Sequence, residues 1–373
     1  MASKQILVTG GAGFIGSHIV DLLVEEGNSV RILDNLDKQV HANGKKPVWL
    51  NEKAEFQIGD VRNRNDLKKA LDGIEVVFHE AAAVGVGQSM YEVDYYTDVN
   101  TRGTALLLDE IINGNQDVKK ILVAASMSSY GEGLYSCKNC GVVEPKRRSE
   151  EQLKKEEWSL NCPKCGEELN PVPTPETKTR ECESIYALTK EDQERMFHII
   201  GKTYGLKSVA LRYFNAIGGR QSLNNPYTGV AAIFMSRVKN NNAPVVYEDG
   251  LQSRDFISVR DIARANVMAM KSNAANYESF NVGTGEPTTI LDVSEAIIKA
   301  YNADLKTEVT GKFRAGDIRH CFADVSKINS KLGFEAKNSF ENGLNYLIKW
   351  SEKETPKDKF DKASEELKKK GLL

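Results

Sequence analysis

A chain of 373 residues with 40% hydrophobic residues, 27% charged residues and a formal net charge of -2 is long enough for two domains and a small extra module. That balance excludes bulk-charge attraction to nucleic acid or a membrane surface, and no apolar run approaches the roughly 20 residues of a membrane-spanning helix. The opening "MASK" runs directly into Ile6-Leu7-Val8 and leaves no room for a signal peptide, so a cytoplasmic protein is expected.

In the first third, the β-branched runs "QILVTG", "SVRILD", "EFQIGD", "EVVFHEAAA" and "KKILVAAS" alternate with polar, helix-like segments. This alternation predicts an α/β fold, a doubly wound parallel sheet with helices on both faces. Between the first run and its helix lie Gly10, Gly13 and Gly16, spaced GxxGxxG. Glycines there allow a tight turn and bring backbone N–H groups and a helix N-terminus up to a pyrophosphate. Asp34 ends the second run, about 20 residues on, where a carboxylate accepts from a ribose 2′-hydroxyl and repels a 2′-phosphate. The pair of signals points to NAD rather than NADP.

The alternation breaks between about residues 134 and 180, where Cys137, Cys140, Cys162 and Cys165 stand in the spacing C-x2-C-x21-C-x2-C, each pair followed by glycine. Two turns presenting two thiolates each complete a closed tetrahedral site, so structural Zn is expected rather than a redox pair or four unrelated thiols. Basic Lys146, Arg147 and Arg148 are offset by as many glutamates, which argues against a nucleic-acid patch. Because this insertion leaves the sheet after Ser126 and returns before Tyr186, it is expected beside the mouth of the site, capping the pocket or supporting a subunit contact. The pattern resumes with a helix "SIYALTKEDQERMFHIIGKTYG" and a strand "SVALRYFNAIG", then becomes more mixed after Gly218. The tail "TPKDKFDKASEELKKKGLL" reads as an amphipathic helix that packs with Phe360, Ala363 and Leu367 inward. The expected organisation is therefore a dinucleotide-binding domain over 1–133 and 181–218, an insertion over 134–180 and a second domain over 219–373, to which segments such as 254–285 are an exception if they return to the first.

In "YALTK", Tyr186 and Lys190 lie one helical turn apart on one face, where an ammonium beside the phenol, together with the positive nicotinamide ring, would lower its pKa. Ser126 ends a strand at the carboxyl edge of the sheet, where ligands of such folds bind. With "TGGAGFIGSH", "GDVRN", "HEAAAVGVGQS", "NTRGT", "SMSSYGEG", "YALTK", "RYFNAIG", "RDFISVRD", "FNVGTG" and "RAGD", the chain resembles the extended short-chain dehydrogenases/reductases of the NAD-dependent nucleotide-sugar epimerase/dehydratase type, everywhere except 134–180. The resemblance implies a Rossmann-type fold with a smaller substrate domain, tightly bound NAD and a nucleotide-sugar substrate. It also implies a homodimer formed by helices near 101–113 and 184–204.

Residue by residue, the resemblance makes Ser126, Tyr186 and Lys190 catalytic. Gly10, Gly13, Phe14, Ile15, Gly16, Asp34, Asn35, Asp60, Val61, Ala81, Ala82, Ala83 and Asn100 join Tyr186 and Lys190 around the cofactor, and Ser128, Asn215, Arg254, Arg314 and Asp317 hold the substrate. The dehydratases of this type place an Asp-Glu pair where this chain has Met127 and Ser128, which cannot do that acid/base work, so epimerisation is expected. The segment "AAAVGVGQSMYEV" and the cysteine-rich insertion together resemble the branch acting on dTDP-L-rhamnose. UDP-hexose or UDP-N-acetylhexosamine epimerisation, a net oxidoreductase and a non-catalytic dinucleotide sensor are the alternatives.

Overall fold

The computed structural model describes residues 3–41, 43–227, 229–314 and 316–373. All five expected runs become strands, Gln5–Thr9, Ser29–Asp34, Glu55–Ile58, Val76–His79 and Lys120–Ser126. They form one sheet with Lys207–Tyr213 and Glu278–Val282. Every pairing in it is parallel. Read across the sheet from its far edge, the strands run Glu278–Val282, Lys207–Tyr213, Lys120–Ser126, Val76–His79, Gln5–Thr9, Ser29–Asp34, Glu55–Ile58. The order reverses beside Gln5–Thr9, which opens a crevice at the carboxyl ends of the strands. Both faces are covered, so the central strands are apolar throughout: Ile6, Val8 and Phe78 pack on one side and Leu7, Val77 and Ile121 on the other.

The helix Ile185–Tyr204 starts at Ser184, whose hydroxyl accepts from Ala187 N–H, and stops at Gly205 in the left-handed conformation. The single strand expected after it is two. Phe214 leaves the first sheet, and Asn215–Ile217 pairs in parallel with Phe256–Ser258 in a second sheet. This second sheet also takes in Pro287–Thr289 and His320–Cys321. A separate apolar core from the helices Val230–Lys239, Ile290–Ala300 and Phe340–Ser351 packs around it. The break at Phe214 carries the chain from one lobe to the other and puts Asn215 on the floor between them.

Residues 134–180 hold a small antiparallel sheet of Gly141–Val143, Leu134–Cys137 and Asn170–Val172, with their own core of Tyr135, Val143, Leu160 and Leu169. Among the described residues no helix is long and apolar enough to cross a membrane.

Candidate active site

A cavity of about 620 Å³ lies at the carboxyl edge of the large sheet, between the two lobes. Its first wall is the glycine turn. Gly10 has φ +68°, and a Cβ there would stand 2.7 Å from Ala81 N; a Cβ on Gly16 would collide with the Gly10 carbonyl. Only glycine lets this turn close. The helix Phe14–Glu25 begins at Gly13 without a side-chain cap, leaving its first N–H groups directed into the cavity.

Asp34 is buried at the end of its strand. One oxygen accepts from Ala12 N–H at 3.0 Å and the other from Leu36 N–H at 2.9 Å, so the carboxylate is locked in orientation. Burial pushes its pKa up, and its nearest charge partner is His41, 3.9 Å away, a cavity residue that sequence reasoning did not single out. Asn35 donates to Asp60 at 2.9 Å; burial works against the Asp60 carboxylate, but hydrogen bonds from Arg62 and Asn35 hold its pKa at about 2. Phe14, Ile15, Val61, Ala81, Ala82 and Ala83 line the same cavity. Asn100 does not. It is fully buried in a π-helical turn behind the wall, where its amide accepts from Ala83 N–H at 2.7 Å and donates to the Ala83 carbonyl and to Thr189. Asn100 thus holds the backbone of Ala83, itself a cavity-lining residue.

Ser126, Ser128, Tyr186 and Lys190 meet in the cavity. Ser128 hydroxyl donates to Ser126 Oγ at 2.8 Å, and Tyr186 N–H donates to Ser89 Oγ at 3.0 Å. Burial raises the Tyr186 pKa, and the hydrogen bond with Ser126 opposes that rise. Lys190 is engaged elsewhere, donating to Gln193 at 2.7 Å, and burial lowers its pKa while Glu80 acts the other way.

Glu80 was not legible as a site residue. It follows the strand Val76–His79 and faces the cavity, accepting from Tyr213 hydroxyl at 3.0 Å; Asn266 in turn donates to that tyrosine. Burial pushes the carboxyl up and Lys190 pulls it down. The one available signal was a carboxylate inside the otherwise apolar "VVFHEAAA".

At the other end lie Asn215, Arg254, Arg314 and Asp317. Asn215 Oδ1 and Arg314 Nε are buried without a hydrogen-bond partner, a state that favours a ligand supplying one. Arg314 stacks 4.4 Å over the Tyr247 ring. Arg254 is already occupied: it pairs with Asp317 at 3.1 Å and donates to the Ser253, Ile318 and Arg319 carbonyls.

No residue of 134–180 lines the cavity, which corrects the expected cap. The insertion braces the strip behind it instead. Arg148 forks onto Glu248 at 2.7 and 2.9 Å and donates to the Asp317 carbonyl at 3.4 Å, Glu248 and Asp249 receive Arg319, and Glu132, just ahead of the insertion, accepts from the Arg319 and His320 backbone N–H groups. The four sulfurs of Cys137, Cys140, Cys162 and Cys165 lie within 4.8 Å of one another. A tetrahedral ion with metal–sulfur bonds of about 2.3 Å requires sulfurs roughly 3.8 Å apart, so the donor set fits one. Gly141 and Gly166 follow each pair with φ of +74° and +79° in open space, as such turns need.

Comparison with known proteins agrees with this geometry. Residues 6–153 match the model of the NAD dependent epimerase/dehydratase family and residues 166–347 that of GDP-mannose 4,6 dehydratase. The chain is 35% identical over 353 residues to dTDP-L-rhamnose 4-epimerase of Burkholderia thailandensis, covering 93% of this chain and 94% of that one. Among solved structures, UDP-glucose 4-epimerase of Thermotoga maritima with UDP-glucose superposes with a TM-score of 0.76 at 30% identity, covering 94% of this chain and 99% of that one. Thermus thermophilus UDP-glucose 4-epimerase in complex with NAD gives 0.73 at 30% identity, with coverage of 94% and 99%. The chain belongs to the NAD-dependent epimerase/dehydratase family.

Proposed function

We propose that the protein is a nucleotide-sugar 4-epimerase holding NAD tightly and acting on dTDP-L-rhamnose. The observation that carries this reading is a single cavity joining the glycine turn and Asp34 to Ser126, Tyr186 and Lys190, with Met127 and Ser128 where a dehydratase would need an acid pair. NAD held there would supply the hydride acceptor for oxidation at C4 and, reduced, the hydride donor for the opposite face. Tyr186 takes the proton of the 4-hydroxyl and gives it back, Ser126 holds that oxygen, and the Lys190 charge favours phenolate. Gly10, Gly13, Phe14, Ile15, Gly16, Asn35, Asp60, Val61 and Ala81 to Ala83 surround the dinucleotide. Asn215, Arg254 and Arg314 meet the diphosphate, while Asp317, paired with Arg254, lies near the nucleotide ribose.

The four cysteines hold structural Zn, and the protein works as a cytoplasmic homodimer. Exposed Leu188, Ile199 and Tyr204 on the helix Ile185–Tyr204 support such a contact. Identity to the rhamnose enzyme favours that sugar; the fold is equally that of the UDP-glucose enzymes, which keeps UDP-hexose and UDP-N-acetylhexosamine as the second reading. The test is NMR observation of a panel of nucleotide sugars with no added cofactor. dTDP-L-rhamnose should equilibrate with its C4 epimer and Tyr186→Phe should abolish turnover while retaining NAD. Full activity in that variant, or stoichiometric growth of 340 nm absorbance in the wild type, overturns the reading.

A further inference from the structure

The second matched family model ends at residue 347, and the chain runs on for a segment rich in Lys, Asp and Glu. Phe360, Ala363 and Leu367 are spaced to share one face of a helix, and the structure places that helix, Phe360–Lys369, over the cavity. It is tied to the second lobe on one side. Asn240 donates to the Pro356 carbonyl at 2.9 Å, Lys357 N–H donates to Asn224 at 2.9 Å, and Arg237 pairs with Asp358 and lies 4.5 Å over the Phe360 ring.

On the other side it meets the first lobe. Leu367 Cδ2 would stand 3.3 Å from a Cβ on Gly87, two residues before the Ser89 hydroxyl that receives Tyr186 N–H. Glu366 accepts from Tyr227 hydroxyl at 2.6 Å and from Tyr91 hydroxyl at 3.5 Å. The tail therefore bridges both lobes at the catalytic half of the cavity.

Its contribution to the cavity wall is Phe360, Ala363, Ser364, Leu367 and Leu372, and the loop after Ala83 adds Val84, Val86 and Met90. Those last three are 50%, 51% and 42% exposed, an uncovered apolar surface inside a binding site. A sugar hydroxyl set against such a surface loses its water without gaining a partner, whereas a methyl group gains by burial.

We propose that the tail helix is part of the active site: it closes the sugar end of the cavity with an apolar wall and selects a hexose whose sixth carbon is a methyl group over one bearing a hydroxymethyl group. This rests on the epimerase reading, and it concerns specificity rather than the chemical step.

The test compares pairs differing by one oxygen, dTDP-L-rhamnose with dTDP-L-mannose and UDP-6-deoxyglucose with UDP-glucose. It uses the wild type, a chain ended after Glu354, and Leu367→Gln, which keeps the helix should the shortened chain fail to fold. Turnover by NMR and binding by calorimetry are both read. The wild type should prefer the 6-deoxy member of a pair by on the order of 10²-fold. Both variants should lose at least tenfold of that preference, in kcat/KM and in Kd, while NAD content holds. A wild type indifferent to the extra oxygen, or variants with undiminished preference, overturns the tail proposal alone. A wild type that binds these sugars with the expected preference yet epimerises none overturns the reaction and leaves the tail's role standing.

Discussion

At the scale of single residues, Lys190 shows how strongly a dry pocket edits what spacing implies. The Tyr-x-x-x-Lys register puts its ammonium on the face shared with Tyr186, but burial works against that charge, and the carboxylate of Glu80 is what opposes the loss. Around Lys190 stand Gln193, the buried His79, held neutral with a pKa of about 3 by burial and by Lys190 itself, and Glu80, which is bonded to Tyr213. Glu80→Gln removes the favourable charge, so Lys190 should lose its proton at a lower pH. A lysine with a depressed pKa is protonated below that value and neutral above it, so the alkaline limb of the kcat/KM profile should move to lower pH in the variant. An alkaline limb that stays in place would leave Glu80 without this role. Arg314 offers a second check: its orphaned Nε is the signature of a missing acceptor. Losing a charge-assisted hydrogen bond costs roughly 1.5–3 kcal/mol. Arg314→Ala should therefore raise KM for the nucleotide sugar on the order of tenfold to a hundredfold, with NAD retained in the purified protein. The glycine turn and the Tyr186–Lys190 register were legible because their types and spacing are dictated by local backbone geometry. Glu80 and His41 were not, since a carboxylate after a strand and a histidine in a loop acquire meaning only from what packs over them.

Among the elements, the insertion brings its four cysteines together as their spacing implies, and it contacts the strip beside the cavity through Arg148. The CxxC spacing alone specifies four convergent sulfurs, because each turn is short enough for local geometry to aim both thiolates. Purified protein should contain about one Zn per chain, and Cys165→Ser should lose it and melt at lower temperature. Since the insertion reaches the Asp317–His320 strip through Arg148, which donates to the Asp317 carbonyl, without lining the cavity, that variant should raise KM for the sugar nucleotide more than it lowers kcat. Equal loss of kcat and retention of KM would point to a catalytic contact that the geometry does not show. The Arg148–Glu248 fork carries the brace, with side chains 1% and 2% exposed. Removing Arg148 leaves Glu248 with Arg319 as its remaining partner, 3.0 Å away, so the loss should fall below the roughly 3–5 kcal/mol of a fully stranded buried charge. Arg148→Ala should accordingly lower thermal stability markedly, seen in a melting curve of the Zn-loaded protein. Nothing in "KRRSEE" distinguished Arg148 from its basic neighbours; its partner lies 100 positions away.

For the whole molecule, the decisive event is the exit of the chain from the first sheet at Phe214. It places Asn215 under the cavity and starts the second lobe, whose arginines then face the glycine turn across about 620 Å³. A tail that read as a packing helix in the sequence crosses back over this space. The amino-acid sequence by itself determined the alternating strands and helices, the glycine turn with its distant Asp34, the Tyr186–Lys190 register and the four-cysteine spacing, since each follows from periodicity or from constraints within a few residues. Tertiary structure alone decided that Asn100 clamps the Ala83 backbone, that Arg254 is already paired with Asp317, that the insertion braces rather than caps, and that the tail closes the site. The physical reason is common to all four: each depends on which distant groups share a desolvated space, and burial sets both the partner a polar group must find and the charge it can keep.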